Sequence, residues 1–201
     1  MLRHLLDPAN AITAAGIFFS SFAVYLALAG RTEVAVAVAL WAMLADHLDG
    51  AVAIRIVNRP PEKAKMGKSL DGFADIIYGA VFPVVCIITA SNASLLSLLT
   101  GTALLLAGAI RLSYFSNFGL SEDNKFTGLP LSYDVPLLAV LFLIKSALGG
   151  QFNTILNILF LVMSVFHVSS IQIPAPGKLM YVAILVFSVA ASASLVAGAL
   201  A

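Results

Sequence analysis

The chain has 201 residues, 61% hydrophobic and 10% charged, with eleven Lys plus Arg against ten Asp plus Glu for a net charge of +1. Soluble domains run at about 45–50% apolar and about 25% charged, and no water-soluble core of this size hides so much apolar side chain. Disorder, a coiled coil and a disulfide scaffold are excluded, the near-neutral charge gives no electrostatic basis for binding nucleic acid, and the single cysteine, Cys86, sits in an apolar run as a packing residue.

The expected fold is therefore all-α: one integral-membrane domain over residues 1–201, a polytopic bundle of six core helices plus a seventh. A span needs about 20 mostly apolar residues. Stretches at 9–30, 33–57, 69–91, 94–118, 129–149, 153–171 and 179–200 qualify, separated by polar or helix-breaking clusters such as Gly30-Arg31, Asn58-Arg59-Pro60-Pro61 and Pro174-Ala175-Pro176-Gly177. The first stretch is expected to stay as a span and not be cleaved as a signal peptide, because it is long and interrupted by Asn10 and Thr13. The last, rich in Ala and Ser, is the one most easily placed outside the working core. With the N-terminus in the cytoplasm, the inner side receives Arg3, Arg55, Arg59, Lys63, Lys65, Lys68, Arg111, Lys125 and Lys178. The outer side receives only Arg31 and Lys145. That bias fixes the expected orientation in a cytoplasmic (inner) membrane.

Acidic residues inside apolar spans are costly and mark function. The second span ends with Asp46, His47, Asp49 and Gly50, and the third opens with Gly67, Lys68, Asp71, Gly72 and Asp75. Asp46 and Asp49 are spaced i, i+3, and Asp71 and Asp75 i, i+4, so each pair shares a helix face. The short basic loop makes the two spans antiparallel neighbours, bringing all four carboxylates to the cytoplasmic end of one helix pair. Four anions in a low dielectric repel or take up protons, and divalent cations are the simpler remedy. All-oxygen ligands select Mg²⁺, Mn²⁺ or Ca²⁺. His47 is a lone imidazole expected to face away from Asp46 and Asp49, which disfavours zinc. An ion-coupled transporter would also place acids in the membrane, but near the midplane between repeated halves. These acids lie near one interface, and no second D-x-x-D follows residue 100.

Asp46, Asp49, Gly50, Ala53, Gly67, Asp71 and Asp75 stand in the register of D-x-x-D-G-x-x-A-R followed by G-x-x-x-D-x-x-x-D. In this the chain resembles the CDP-alcohol phosphotransferase family, to about residue 178. Asn10-Ala-Ile-Thr13 looks like the N-x-x-T of that family's first helix. Arg111-Leu-Ser-Tyr-Phe115, Phe126-Thr-Gly-Leu-Pro130 and Gln172-Ile-Pro174 look most like its bacterial and archaeal phosphatidylserine synthases. There are three departures. Ile54 stands where the motif has arginine, with Arg55 one residue later, rotated by about 100° on an ideal helix, and Arg59 in reserve. The spacer before Gly67 is longer than usual and holds Pro60-Pro61. Gly-Leu-Pro is followed by Leu131-Ser132-Tyr133-Asp134.

The resemblance implies transfer of a phosphatidyl group from CDP-diacylglycerol to a small alcohol, with release of CMP, at a site facing the cytoplasm. It implies two divalent ions, Mg²⁺ or Mn²⁺, on Asp46, Asp49, Asp71 and Asp75, with Asp75 as catalytic base, and a homodimer. CDP-lipid contacts would come from Asn10, Thr13, Asp46, Asp49, Gly50, Ala53, Arg55, Gly67, Lys68 and Asp71. L-serine is the favoured acceptor; choline, inositol phosphate and glycerol phosphate are the alternatives. Arg111 and Lys125 are candidate partners for serine's carboxylate or a lipid phosphate, Arg111 otherwise snorkelling towards the headgroups. Asp134, beside Tyr133, would meet an ammonium group; otherwise it caps the fifth helix or pairs with Lys125.

Overall fold

A computed structural model describes residues 5–200 of the protein; Arg3, counted among the inner cations, lies outside them. In chain order the elements are α1 (Pro8–Leu28), α2 (Thr32–Ala53), α3 (Pro61–Ala90), α4 (Leu95–Phe118), β1 (Lys125–Thr127), α5 (Leu131–Leu143), α6 (Lys145–His167), β2 (Gln172–Pro174) and α7 (Lys178–Leu200). Six of these helices are long and apolar enough to cross a membrane, so the polytopic helical bundle expected from composition is what the chain forms.

Small residues let the first two helices approach closely, which is how packing replaces the hydrophobic effect in lipid. Ala35, Ala39 and Ala42 of α2 are fully buried, and a methyl placed on Gly16 of α1 would lie 3.3 Å from the Ala45 Cβ. Tyr78, Phe82, Leu104, Leu138 and Phe160 fill the centre. The last helix joins this core: the Ser192 hydroxyl of α7 donates to the Ala37 carbonyl of α2 at 3.2 Å, and Ala191 and Leu195 are buried.

Two spans differ from expectation. The third helix starts at Pro61, not near 69, because Pro60-Pro61 initiates it: proline is pre-organised for a first helical turn. Asp71 and Asp75 therefore lie about three to four turns inside α3. The fifth stretch, expected over 129–149, is a continuous helix only from Leu131 to Leu143, about 20 Å at 1.5 Å per residue, and Lys145–Leu148 already belong to α6. Beyond it the chain turns at Ile144 and again at Gly149, which has φ +53°. Lys145 pins this corner, 2.8 Å from Glu33 at the start of α2 and within 5.7 Å of the Phe142 and Phe152 ring centres.

Within α3, residues Ile77–Val81 form a π-helical turn in which the Phe82 N–H reaches the Ile77 carbonyl, five residues back. Pro83 accounts for it locally, since it has no N–H to offer the carbonyl of Gly79. At the acidic end of the bundle β1 and β2 pair antiparallel, with Phe126 opposite Ile173, strapping the α4–α5 loop to the α6–α7 loop.

Gly79 lies where this π turn meets the start of α5. A methyl there would stand 2.7 Å from the Leu131 Cβ and 3.1 Å from its carbonyl oxygen. Gly79→Ala is expected to overpack this contact at a cost of about 1–3 kcal/mol, seen as a lower Tm in detergent. An unchanged Tm would mean that α5 is free to move away.

Candidate active site

The α2–α3 hairpin does bring its acids together. One oxygen from each of Asp46, Asp49 and Asp71 lies within 4.8 Å of the others. Oxygens on opposite sides of a bound magnesium stand about 4 Å apart, and of a calcium about 5 Å, so the three fit around one ion. A buried Asp46 oxygen, Oδ1, has no hydrogen-bond partner, a costly vacancy for an acceptor that a cation would fill. The four-carboxylate cluster expected from spacing resolves into three plus one: Asp75 is outside this metal-competent group and its Oδ1 accepts from the Tyr78 hydroxyl at 2.8 Å. The same hydroxyl lies 2.9 Å from Asp46 Oδ2.

The first helix closes one side of the acids. Asn10 and Thr13, singled out by spacing alone, are both buried, and the Thr13 hydroxyl donates to the Asp49 carboxylate. Asn10 is tied to the α2–α3 loop: its amide donates to the Lys63 carbonyl at 3.1 Å and its oxygen accepts from Arg59 at 2.7 Å. Arg59 also forms a 2.7 Å salt bridge with Asp7, the N-cap of α1. Gly67 is needed here, because a side chain would collide with the Asn10 oxygen and stand 2.9 Å from Arg59. Arg55 is exposed and takes part in no salt bridge among the described residues. Of the two arginines, Arg59 and not Arg55 packs against Asn10 and beside Gly67.

Burial by itself raises the Asp7 carboxyl, but the Arg59 hydrogen bond, the Asn10 backbone N–H and the charges of Arg59 and Lys63 outweigh it. They hold Asp7 below the usual carboxylate value.

From the acids a cavity of about 750 Å³ runs into the bundle, lined at its polar end by Asp46, Gly50, Asp71, Asp75 and Arg111 and otherwise mostly by apolar side chains. Arg111 is buried, its guanidinium 5.2 Å from the Phe115 ring centre and 5.5 Å from that of Phe126 on β1, and its Nε has no partner. It faces the cavity and does not snorkel. His47, expected to face away from Asp46 and Asp49, also lines the cavity. Its Nδ1 bonds to the Met43 carbonyl at 2.8 Å and its ring meets Tyr181 of α7 edge-on. Tyr181, Ile184 and Phe187 make α7 a wall of the site, so the last helix is not peripheral.

Three other candidates lie elsewhere. Lys68 donates to the Ser116 carbonyl at the end of α4 at 3.0 Å, Ala53 ends α2 outside the cavity lining, and Lys125 pairs with Asp123 at 3.6 Å on the surface. Asp134 is not among the cavity-lining residues. It is fully buried, with both oxygens on His167 Nε2 at 2.9 and 3.2 Å, while His167 Nδ1 bonds to the Leu129 carbonyl at 2.8 Å. The His167 ring thus bridges the Asp134 carboxyl and the Leu129 carbonyl. The pair joins α6 to the Leu129–Tyr133 segment, which supplies one wall of the cavity.

Residues 6–166 match the CDP-alcohol phosphatidyltransferase family. The archaetidylserine synthase of Methanothermobacter thermautotrophicus is 31% identical over 152 residues, 75% of this chain and 62% of that protein. Two Helicobacter pylori proteins named CDP-diacylglycerol–serine O-phosphatidyltransferase are 25% and 26% identical, covering 82% and 72% of this chain and 70% and 59% of their own lengths. The chain thus spans less than two thirds of the archaeal relative.

The Asp7–Arg59 clamp gives a pH dependence of known sign. A carboxyl held low in the folded state stabilises it above the ordinary carboxylate range and loses that contribution as pH falls through the lowered value. The Tm gap between the wild type and Asp7→Asn is expected to be constant above about pH 5 and to shrink below about pH 4. A gap that does not vary with pH would contradict an ionised clamp.

Proposed function

The chain belongs to the CDP-alcohol phosphatidyltransferase family, and on that premise we propose that it transfers a phosphatidyl group from CDP-diacylglycerol to the hydroxyl of a small alcohol, releasing CMP. The observation that carries this reading is the convergence of Asp46, Asp49 and Asp71 on one ion-sized space at the mouth of a largely apolar cavity. A headgroup with anionic phosphates and a lipid body needs those two surroundings side by side. The ion proposed is Mg²⁺ or Mn²⁺, held by Asp46, Asp49 and Asp71. A divalent cation there supplies positive charge against the pyrophosphate oxygens.

The chain's own residues do the rest. Asn10, Thr13, Gly50 and Gly67 shape the nucleotide side, with Arg59 beside them as the phosphate-directed cation in place of Arg55. The acceptor oxygen bonds to the phosphatidyl phosphorus while the bond from that phosphorus to the bridging oxygen breaks. CMP departs with the bridging oxygen, and the hydroxyl proton passes to Asp75. Asp75 suits that task because it stands outside the three-carboxylate group and still lines the cavity. Arg111 is the cation for serine's carboxylate or the lipid phosphate, and its unpartnered buried Nε supports that role. Serine is the acceptor proposed, because the relatives' names speak of serine and of archaetidylserine. Asp134 is not part of acceptor recognition. The orientation proposed puts the acidic end, with Arg55, Arg59, Lys63, Lys65 and Lys68, in the cytoplasm.

In mixed micelles with CDP-diacylglycerol, L-serine and Mn²⁺, the wild type is expected to release CMP. Asp46→Asn, Asp49→Asn, Asp71→Asn and Asp75→Asn are each expected to lose at least about 100-fold in kcat, the first three also losing Mn²⁺ affinity. No metal-dependent CMP release with any of serine, choline, inositol phosphate or glycerol phosphate would overturn the reading.

A further inference from the structure

The side chain that links the acids to one another was not singled out by any motif. Tyr78 is 1% exposed, and its hydroxyl sits between two carboxylates, 2.9 Å from Asp46 Oδ2 and 2.8 Å from Asp75 Oδ1. It stands at the head of the π-helical turn in α3, three residues after Asp75 and across the helix pair from Asp46. The ring is wedged in the core, so its hydroxyl has little freedom to swing away.

A phenol has one proton to donate, and here two carboxylates compete for it. Asp46 belongs to the three-carboxylate group that fits a cation. A cation on the open Asp46 Oδ1 makes that carboxylate the poorer acceptor, and the Tyr78 proton then favours Asp75. That hydrogen bond fixes Asp75 through Oδ1 and leaves Oδ2 for an incoming hydroxyl. We propose that Tyr78 is a positioning residue for phosphatidyl transfer: its hydroxyl ties Asp75 to the metal-ligand side of the site and holds the base carboxylate in one orientation. This role rests on the functional reading above. Group-transfer rates are sensitive to such placement, since a misplacement of about 1 Å costs on the order of 100-fold.

The test is Tyr78→Phe, which keeps the ring and removes the hydroxyl. Expected is a fall in kcat of about 10- to 100-fold, with KM for CDP-diacylglycerol and for serine within about twofold of wild type. Mn²⁺ affinity, read by electron paramagnetic resonance without substrate, is expected to fall far less than the rate, because the hydroxyl proton serves Asp75 and not the ligand Asp46 once an ion is bound. Para-aminophenylalanine at position 78 keeps both the ring and an N–H donor, and is expected to recover most of kcat. An unchanged kcat in Tyr78→Phe would overturn the role. So would a loss of Mn²⁺ affinity as deep as the loss of rate, which would make Tyr78 a support of the metal group. Should Tyr78→Phe not fold, a para-aminophenylalanine enzyme that folds but is slowed 10-fold or more decides against the donor role, and one at near wild-type rate supports it. A wild type that binds Mn²⁺ but releases no CMP overturns the functional reading itself, and this role with it.

Discussion

Three carboxylates held within 4.8 Å of one another inside an apolar bundle are the constraint on which the rest of this structure depends. At an effective dielectric of about 20, two unit charges at that separation repel by roughly 3–4 kcal/mol, a large fraction of the marginal stability of a domain. The bundle nevertheless builds rigid support around them. Thr13 donates to Asp49, Tyr78 bridges Asp46 and Asp75, and Arg59 fastens the start of α1 to the α2–α3 loop. None of these contacts neutralises the group, and Asp46 Oδ1 stays without a partner. A site whose own side chains offset only part of its negative charge is arranged for a cation.

The same helices set the boundary between chemistry and lipid. The polar groups lie at one end of the cavity, and its body is walled by α5, α6 and α7 and closed by the β1–β2 strap. Arg111 is the exception, a buried cation flanked by Phe115 and Phe126. Aromatic faces hold a guanidinium without neutralising it, so its charge remains available to an anion in the cavity. The Asp134–His167 pair does the opposite: each partner satisfies the other in full burial, which suits a fixed structural joint and not a substrate contact.

Much of this was legible in the sequence because it is local. Composition and 20-residue apolar runs give the spans, and spacings of three and four residues place Asp46 with Asp49 and Asp71 with Asp75 on shared helix faces. Asn10 and Thr13 were legible as polar residues interrupting an apolar run. What escaped is long-range or depends on a local distortion. Arg59 and Asp7 are 52 residues apart and meet only because Pro60-Pro61 starts α3 early. His167 and Asp134 are 33 apart, and a lone histidine at a helix end carries no signal of its partner. Periodicity places Tyr78 near Asp75, but not against Asp46 as well. The fifth helix was overestimated because apolarity continues through Ile144 and Leu148 while the backbone already breaks at Ile144.

The central claim is that Asp46, Asp49 and Asp71 hold a divalent cation, and anomalous diffraction from crystals soaked in Mn²⁺ tests it most directly. Expected is a manganese peak enclosed by these three carboxylates and lost in Asp71→Asn. A well-ordered site with saturating Mn²⁺ and no peak there, or a peak that survives removal of Asp71 unchanged, would contradict it.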